Sequence, residues 1–197
     1  MAFLNPAWHG RAGLLVRKSV VAGGLGLLLA GPLSACLCGQ AGEYQVKAAF
    51  LFNFAKFVEW PGPDPANDPI NLCVVGDDPF GSLLDQMVKG KLANGRAMEI
   101  RRISPGVKFE RCQIAFIAAS ERKRLPALLE SLGHAGVLTV GETDDFARGG
   151  GIISFFLDNN HVRLEVNVDA ADRAGLKISS KLLSLAKIVR DPSGGKT

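Results

Sequence analysis

The chain of 197 residues has few aromatic residues (7%), four cysteines and a single long continuously apolar stretch. It has no internal repeat, no low-complexity segment and no acidic run. These absences exclude a polytopic membrane protein, a collagen-like repeat, a disordered acidic tail and a disulfide-dense miniprotein. Hydrophobic residues make up 47% of the chain, which suits one globular domain plus a short extra segment.

Sequence signatures of catalysis are also missing. No HExxH, CxxC, GxSxG or Walker sequence occurs. After residue 41 the histidines are His134 and His161, both beside predicted turns and therefore expected to be exposed loop residues. We predict no catalytic residue, no metal site and no cofactor, and an enzyme is the least favoured class.

The first 41 residues resemble an export signal peptide. They contain three basic residues and no acidic residue, and residues 19–30 form an apolar segment of about a dozen residues, too short to span a membrane comfortably. Cleavage after Ala41 would release a soluble periplasmic domain. Residues 33–36 instead resemble a lipobox, which would place a lipid anchor on Cys36. The first route leaves an even number of cysteines and is favoured for that reason.

The predicted signal peptide also accounts for most of the positive charge. Without its three basic residues the chain has 20 basic and 19 acidic residues, a net charge of +1. The densest basic cluster, Glu121 to Arg124, suits a solvated helix face. We therefore expect no nucleic-acid partner.

Apolar patterns predict an α/β domain over residues 42–190 and a disordered polar tail over 191–197. The expected helices cover residues 43–60, 80–88, 121–132 and 179–189. The expected strands cover residues 70–76, 97–103, 112–117, 136–141, 152–157 and 161–168. This order predicts a mostly parallel sheet with helices on both faces and a C-terminal antiparallel hairpin.

Two segments are candidates for binding a partner. Phe50, Phe54 and Phe57 lie at helical spacing on a first helix that is apolar nearly all round. Such a helix is either buried on two sides within its own domain or also contacts a partner or a second protomer. In the last hairpin, Arg163, Glu165 and Asn167 alternate with apolar residues and are expected to share a solvated face.

A small-molecule site is the alternative. In parallel sheets, ligands bind at the carboxyl ends of the strands. The ligand-binding set predicted on this basis comprises Asp77, Asp78, Glu142 and Lys177. Asp78 followed by Pro79 is more typical of a turn and helix cap than of a metal site. Gly149 to Gly151 favours a bulge or a tight entry into the next strand.

Cys73 and Cys112 are predicted on buried strands of one sheet. Neighbouring strands lie about 5 Å apart, which is compatible with the Cα separation of a disulfide. An exported domain with two cysteines favours a bridge over two free thiols.

Several ordered segments resemble the YfiR family. They are Glu43 to Pro61, Cys73 to Gly81, Gly90-Lys91 with Gly95-Arg96, Leu138 to Gly141, Gly150 to Phe155, Arg163 to Asn167 and Gly175 to Ser180. The resemblance covers residues 43–189.

This resemblance implies a non-enzymatic periplasmic repressor. It would bind the periplasmic domain of an inner-membrane diguanylate cyclase of the YfiN type, lowering cyclic-di-GMP and biofilm formation. It also implies a homodimer and redox-sensitive disulfides. Cys73 and Cys112 match one family disulfide, whereas a second, more C-terminal one has no counterpart because no cysteine follows Cys112.

Overall fold

The computed structural model describes residues 37–62, 68–103 and 111–191. The helices are α1 (Leu37–Phe57), α2 (Ser82–Val88), α3 (Leu125–Leu132), α4 (Val168–Arg173) and α5 (Ser180–Leu183), and a 3₁₀ helix (Ala119–Arg124) precedes α3. The strands are β1 (Val58–Glu59), β2 (Ile70–Val75), β3 (Leu92–Ala93), β4 (Arg96–Ile103), β5 (Ile114–Ile117), β6 (Leu138–Gly141), β7 (Ile153–Asp158), β8 (His161–Asn167), β9 (Lys177–Ile178) and β10 (Ala186–Val189). The predicted lipobox and the predicted tail after residue 191 lie outside the described residues.

Eight strands form one sheet in the order β10-β8-β7-β6-β5-β2-β4-β3. The pairs β4–β2, β2–β5, β5–β6, β6–β7 and β8–β10 are parallel. The pairs β7–β8 and β3–β4 are antiparallel. Strands β1 and β9 form a separate antiparallel pair. The predicted fold class, a mostly parallel sheet with a C-terminal antiparallel hairpin, is confirmed.

Both faces of the sheet are covered by helices, and β2 shows how the sequence achieves this. Successive side chains of a strand point to opposite faces. Leu72 and Val74 pack in one cluster with α1 and α2, whereas Cys73 and Val75 pack in a second cluster with α3. A strand covered on both sides needs apolar residues at consecutive positions, which is why β2 lacks alternation.

Helix α1 packs against the sheet in the cluster that it shares with α2. Leu51, Phe54 and Ala55 are fully buried, and the Phe54 ring stacks on Phe155 with centroids 6.0 Å apart. Phe50 and Phe57 are partly buried against the same cluster. The apolar surface of α1 is therefore used mainly within its own domain, the first of the two interpretations offered for it.

The predicted helix over residues 179–189 is wrong. The chain forms the short α5 and then β10, which pairs in parallel with β8 and forms the edge of the sheet. Leu182, Leu185 and Val189 have helical spacing, but Leu185 is 67% exposed. Val189 is buried because strand pairing places it beside Asn167. A long-range pairing thus overrides the local helical pattern.

The predicted disulfide between Cys73 and Cys112 is present, with a Cα–Cα distance of 5.8 Å and a sequence separation of 39. Cys73 lies in β2, and Cys112 lies two residues before β5, the parallel neighbour of β2. Both cysteines are buried in the cluster that contains α3. The bridge therefore crosslinks two central strands from within a packed core.

Replacing both cysteines by alanine should lower the free energy of unfolding by about 2–5 kcal/mol, since the bridge restricts a long loop of the unfolded chain. Equilibrium denaturation of the variant and of the oxidised protein measures the difference. Thiol labelling of the denatured, non-reduced protein should find neither Cys73 nor Cys112 free. Stoichiometric labelling of both would contradict the bridge.

Candidate functional site

A cavity of about 600 Å³ lies at the carboxyl ends of the central strands. Its wall includes Ala119, which follows β5, and Glu142, which follows β6. The middle of α1 contributes Tyr44 and Lys47 to the same wall. This edge is where parallel sheets hold their ligands, and we refer to it as the carboxyl-end cavity.

A buried ion-pair network forms one side of the carboxyl-end cavity. Lys47 is 4% exposed, and its Nζ donates to Glu142 Oε2 at 2.6 Å and also contacts the Glu43 carboxylate. The Tyr44 hydroxyl donates to Glu142 Oε1 at 3.2 Å. A buried ammonium is stable only when it is paired, so Lys47 ties the middle of α1 to the residue that follows β6.

Burial raises the pKa of Tyr44 from 10.0 to about 12, and the neighbouring Glu142 carboxylate reinforces the shift through its charge and its hydrogen bond. Ionising the phenol would place a second negative charge beside Glu142. The Tyr44 hydroxyl is therefore a neutral hydrogen-bond donor throughout the physiological pH range.

Two hydroxyl-bearing residues complete the polar wall of the carboxyl-end cavity. Thr143 is 7% exposed and its buried Oγ1 has no hydrogen-bond partner in the described structure. Ser154 is 5% exposed, and its hydroxyl makes only a 3.5 Å contact with the Phe155 carbonyl oxygen. Buried hydroxyls are normally satisfied. The Thr143 oxygen is an exception among the described residues, and it is enclosed by protein rather than open to the cavity.

The loop between β6 and β7 is held beneath the sheet by one aromatic ring. Phe146 is fully buried, and a Cβ atom added at Gly141 or Gly151 would lie 2.3 Å or 2.2 Å from its ring. Only glycine leaves room for the ring at these two positions. The glycine run therefore provides a tight entry into β7, as predicted, at Gly151.

The hairpin face predicted to be solvated is mostly buried, which corrects that expectation. Glu165 is 9% exposed because Arg148 (3.3 Å) and Lys187 (3.2 Å) enclose its carboxylate. Asn167 is fully buried, caps α4 by accepting from the Ala170 N–H, and donates to Asp191 Oδ1 at 2.8 Å. Both side chains serve the fold, because β10 pairs with β8 and its Lys187 helps to enclose Glu165.

Arg163 is the exposed member of the hairpin set. It lies opposite Phe156 in the β7–β8 pairing and is 3.8 Å from the Asp158 carboxylate. The other predicted partner-binding residues are less accessible. Phe50 and Phe57 are partly buried, and Phe54, Glu165 and Asn167 are buried. The partner-binding role of the whole set stays a prediction.

The structure does not bring the predicted ligand-binding set together. Glu142 lines the carboxyl-end cavity, but Asp77, Asp78 and Lys177 do not. Asp78 accepts a hydrogen bond from the Phe80 N–H at 2.8 Å, as the turn interpretation requires. Lys177 lies opposite Glu59 in the antiparallel strand pair β1–β9. Sequence reasoning missed Tyr44, Lys47 and Thr143. Lys47 could have been suspected, because it shares the buried helical stripe of Leu51 and Phe54.

A second acidic pair is organised by Arg102. Its guanidinium contacts the carboxylates of Asp78 (2.7 Å) and Asp85 (2.7 Å) and donates to the Gly81 carbonyl oxygen. The hydrogen bond from Arg102 lowers the pKa of Asp85, and the hydrogen bonds to Asp85 and Asp78 raise that of Arg102. This exposed cluster fixes the turn between β2 and α2.

A second cavity, of about 650 Å³, lies near the amino ends of β2, β5 and β6. Its wall includes Cys112 of the disulfide and Trp60, whose indole N–H donates to the Gln113 carbonyl oxygen at 3.1 Å. Among the described residues, no group of three or more histidine, cysteine, aspartate or glutamate side chains could hold a metal ion. His134 and His161 are exposed.

The protein is a mixed α/β domain with an internal disulfide and a partly polar cavity at the carboxyl ends of its strands. Comparison with known families places it further: the family model DUF4154, described as YfiR/HmsC-like, matches residues 44–187. The chain belongs to this YfiR/HmsC-like family, whose members regulate a diguanylate cyclase and are regulatory rather than catalytic. No curated protein matches the chain.

Solved structures share the fold. A conserved domain protein from Vibrio cholerae O1 biovar El Tor matches with 11% identity and a TM-score of 0.54, covering 74% of this chain and 59% of that one. An ABC domain in complex with L-Trp, from Streptococcus pneumoniae, matches with 10% identity and a TM-score of 0.51, covering 75% and 60%. The chain thus spans about three fifths of each structure, and the likeness concerns the fold alone.

None of the helices within residues 37–62, 68–103 and 111–191 is both long enough and apolar enough to cross a membrane.

The raised pKa of Tyr44 can be measured directly, because Tyr44 is the only tyrosine in the chain. Tyrosinate absorbance should show a protonated phenol in the folded protein at pH values where the denatured protein, with a pKa near 10.0, is already ionised. Since the folded pKa is raised, Tyr44 contributes stability below pH 10 that is lost as the pH rises towards 12. Tyr44→Phe should lack this loss.

Glu142→Gln tests the contribution of Glu142 to the raised pKa of Tyr44, which adds to that of burial, since it removes the charge that opposes ionisation of the phenol. The tyrosinate midpoint of this variant should fall below that of the parent protein. Glu99→Gln is the matched control, because Glu99 is exposed on β4 and carries the same charge. A folded parent protein that titrates at the denatured midpoint would show that the network does not act on Tyr44.

Proposed function

We propose that this protein is a periplasmic regulator that binds the periplasmic domain of an inner-membrane diguanylate cyclase and represses it, lowering cyclic-di-GMP and biofilm formation. The observation that carries the proposal is family membership over residues 44–187. The Cys73–Cys112 bridge supports an oxidising compartment. Export through the predicted signal peptide, with or without lipidation of Cys36, is part of the same proposal, as are a homodimer and the domain boundaries at residues 42–190.

The outer end of the hairpin is the surface that we propose for the cyclase. Phe156 is 39% exposed and Leu157 is 51% exposed, and Arg163 lies opposite Phe156. Phe156 and Arg163 point to the same face of the hairpin because they are cross-strand partners, whereas Leu157 points to the opposite face. We define Phe156 and Arg163 as the hairpin surface. Protein interfaces combine apolar and aromatic residues with arginine at their centres. Glu165 supports this surface from within through its ion pairs with Arg148 and Lys187.

Arg163→Glu tests the hairpin surface. Arg163 is exposed and its only described ion pair, with Asp158, is exposed as well, so the substitution should change stability by no more than about 0.5 kcal/mol. Charge reversal at an interface should weaken cyclase binding by about tenfold or more. We expect cyclic-di-GMP to rise in cells carrying the variant and co-purification with the cyclase to fall.

The matched control is Lys123→Glu, which makes the same charge change at an exposed position of the 3₁₀ helix. It should leave cyclic-di-GMP at the parent level. If Arg163→Glu is folded and also leaves cyclic-di-GMP unchanged, the hairpin surface is not the contact. If deletion of the gene leaves cyclic-di-GMP unchanged, the repressor function itself is refuted.

A further inference from the structure

Strand β10 is the longer of the two edges of the eight-stranded sheet. It pairs with β8 on one side, and no strand within the described residues pairs with its other side. The opposite edge is β3, which has two residues against the four of β10. Alternate residues of a strand direct their backbone N–H and C=O groups to opposite sides, so β10 presents donors and acceptors that β8 does not use. Such an edge can accept an extended segment as an additional strand.

The two faces of β10 differ in chemistry. Ile188 is in register with Val166, so it points to the face that α1 covers, and it is 44% exposed. Lys187 is in register with Glu165 and points to the opposite face. An additional strand would therefore meet an apolar side chain on one face of the sheet and a cation on the other.

The charges along this edge have one sign. Between Asp172 and Asp191 the chain has five basic residues and no acidic residue, and the basic residues are Arg173, Lys177, Lys181, Lys187 and Arg190. Three of the five pair with carboxylates outside this run, and in each pair the cation is the more exposed side chain. Lys187 is 61% exposed against 11% for Glu165, and Arg190 is 71% exposed against 23% for Asp169. The cations cover their partners, so the outer surface of the edge is positive.

This positive charge distinguishes between a second copy of the chain and a different partner. Antiparallel pairing of β10 with itself would bring Lys187 and Arg190 of both copies to one seam, and like charges on neighbouring strands are unfavourable. Lysine on an edge strand is a common means of preventing such self-pairing. Carboxylates on the added strand are favoured instead, because opposite charges on neighbouring strands attract. An anionic membrane would match the charge but would not use the backbone groups of the edge.

We propose that β10 binds an extended segment of another protein, in which apolar residues alternate with acidic residues, as an additional strand of the sheet. The apolar residues of this segment lie on the α1 side and contact Ile188, and the acidic residues lie on the opposite face beside Lys187. The contact is made through the backbone of β10. The proposal therefore depends neither on the hairpin surface nor on the cyclase, and its test involves neither.

Fluorescence anisotropy of the purified protein with labelled peptides tests the edge. The probe is an end-blocked peptide of about six residues, the usual length of a strand, that alternates glutamate with valine. We expect it to bind about tenfold or more tightly than a peptide of equal length that alternates lysine with valine. Absence of probe binding overturns the proposal. Binding of phosphatidylglycerol vesicles without binding of the probe assigns the positive edge to a membrane and also overturns it.

Two N-methylated forms of the probe separate strand pairing from attraction by charge alone. One form has methyl groups on the valine amides and the other on the glutamate amides, and both keep the charge of the probe. Only one of these two sets of amides faces β10 in an added strand. Methylation of that set should weaken binding about tenfold or more, because it removes several backbone hydrogen bonds. If both methylated forms bind as tightly as the probe, no strand is added and the proposal fails.

Lys187→Gln and Ile188→Thr locate the binding. Each removes one side chain that the added strand would contact and should weaken probe binding about two- to fivefold. Threonine keeps the β-branched side chain that suits a strand. The matched controls are Lys123→Gln on the 3₁₀ helix and Leu92→Thr on β3, both at exposed positions, and neither should change the affinity. Probe binding that neither Lys187→Gln nor Ile188→Thr weakens lies elsewhere and refutes the site.

Hydrogen exchange of the β10 amides identifies the occupant of the edge. Exchange should slow about tenfold or more when the probe saturates the protein, because an added strand protects the amides that face away from β8. Probe binding that leaves the exchange of β10 unchanged contradicts the proposal. Protection that is present without peptide and increases with protein concentration would assign the edge to a second copy of the chain, which overturns the proposal as well.

Discussion

The packing of α1 across the sheet is the interaction on which the rest of the structure depends. Leu51, Phe54 and Ala55 are fully buried, and each large side chain buried in this way contributes about 1.5–3 kcal/mol. The helix contacts α2 and β3, which come early in the sequence, and also β8 and α5, which come late. One element therefore links the N-terminal and C-terminal halves into a single core.

The same helix brings the main charge of the cavity into place. Lys47 lies on the buried stripe of α1, so packing of Leu51 and Phe54 against the sheet removes its ammonium from water. Glu142, which is 95 residues away in sequence, meets it at 2.6 Å. Loss of one partner from a buried pair of this kind typically costs about 3–5 kcal/mol. The packing of the core and the position of the Lys47–Glu142 ion pair in the cavity wall therefore depend on the same helix.

The two faces of the sheet are unequally covered, and this asymmetry leaves one face of the hairpin without a helix packed on it. The cluster that contains α3 involves central strands and no described residue of β7, β8 or β10. At the hairpin end, ion pairs of Glu165 with Arg148 and Lys187 replace helix packing on that face. The hairpin surface and the lining of the carboxyl-end cavity share Phe156. An occupant of one would meet residues that belong to the other.

Local patterns were sufficient for the fold class and for the disulfide. The apolar run of β2, the turn at Asp158 to Asn160 and the position of Cys73 are short-range features, and each matches the structure. The family resemblance rested on ordered segments of the same kind and agrees with the family model. These features are readable because strand periodicity, turn residues and cysteine number depend on neighbours in sequence.

Long-range contacts decided the rest. Residues 186–189 became a strand because β8 offered a free edge, and that pairing placed Val189 against Asn167. Glu165 was predicted to be exposed, yet Arg148 and Lys187 arrive from separate segments and bury it. Thr143, which has no sequence signature, became an unsatisfied group only when the loop after β6 folded under the sheet. Sequence alone therefore determined which segments are strands at the centre of the sheet, whereas burial of polar groups was decided by tertiary structure, because it depends on what distant segments place beside them.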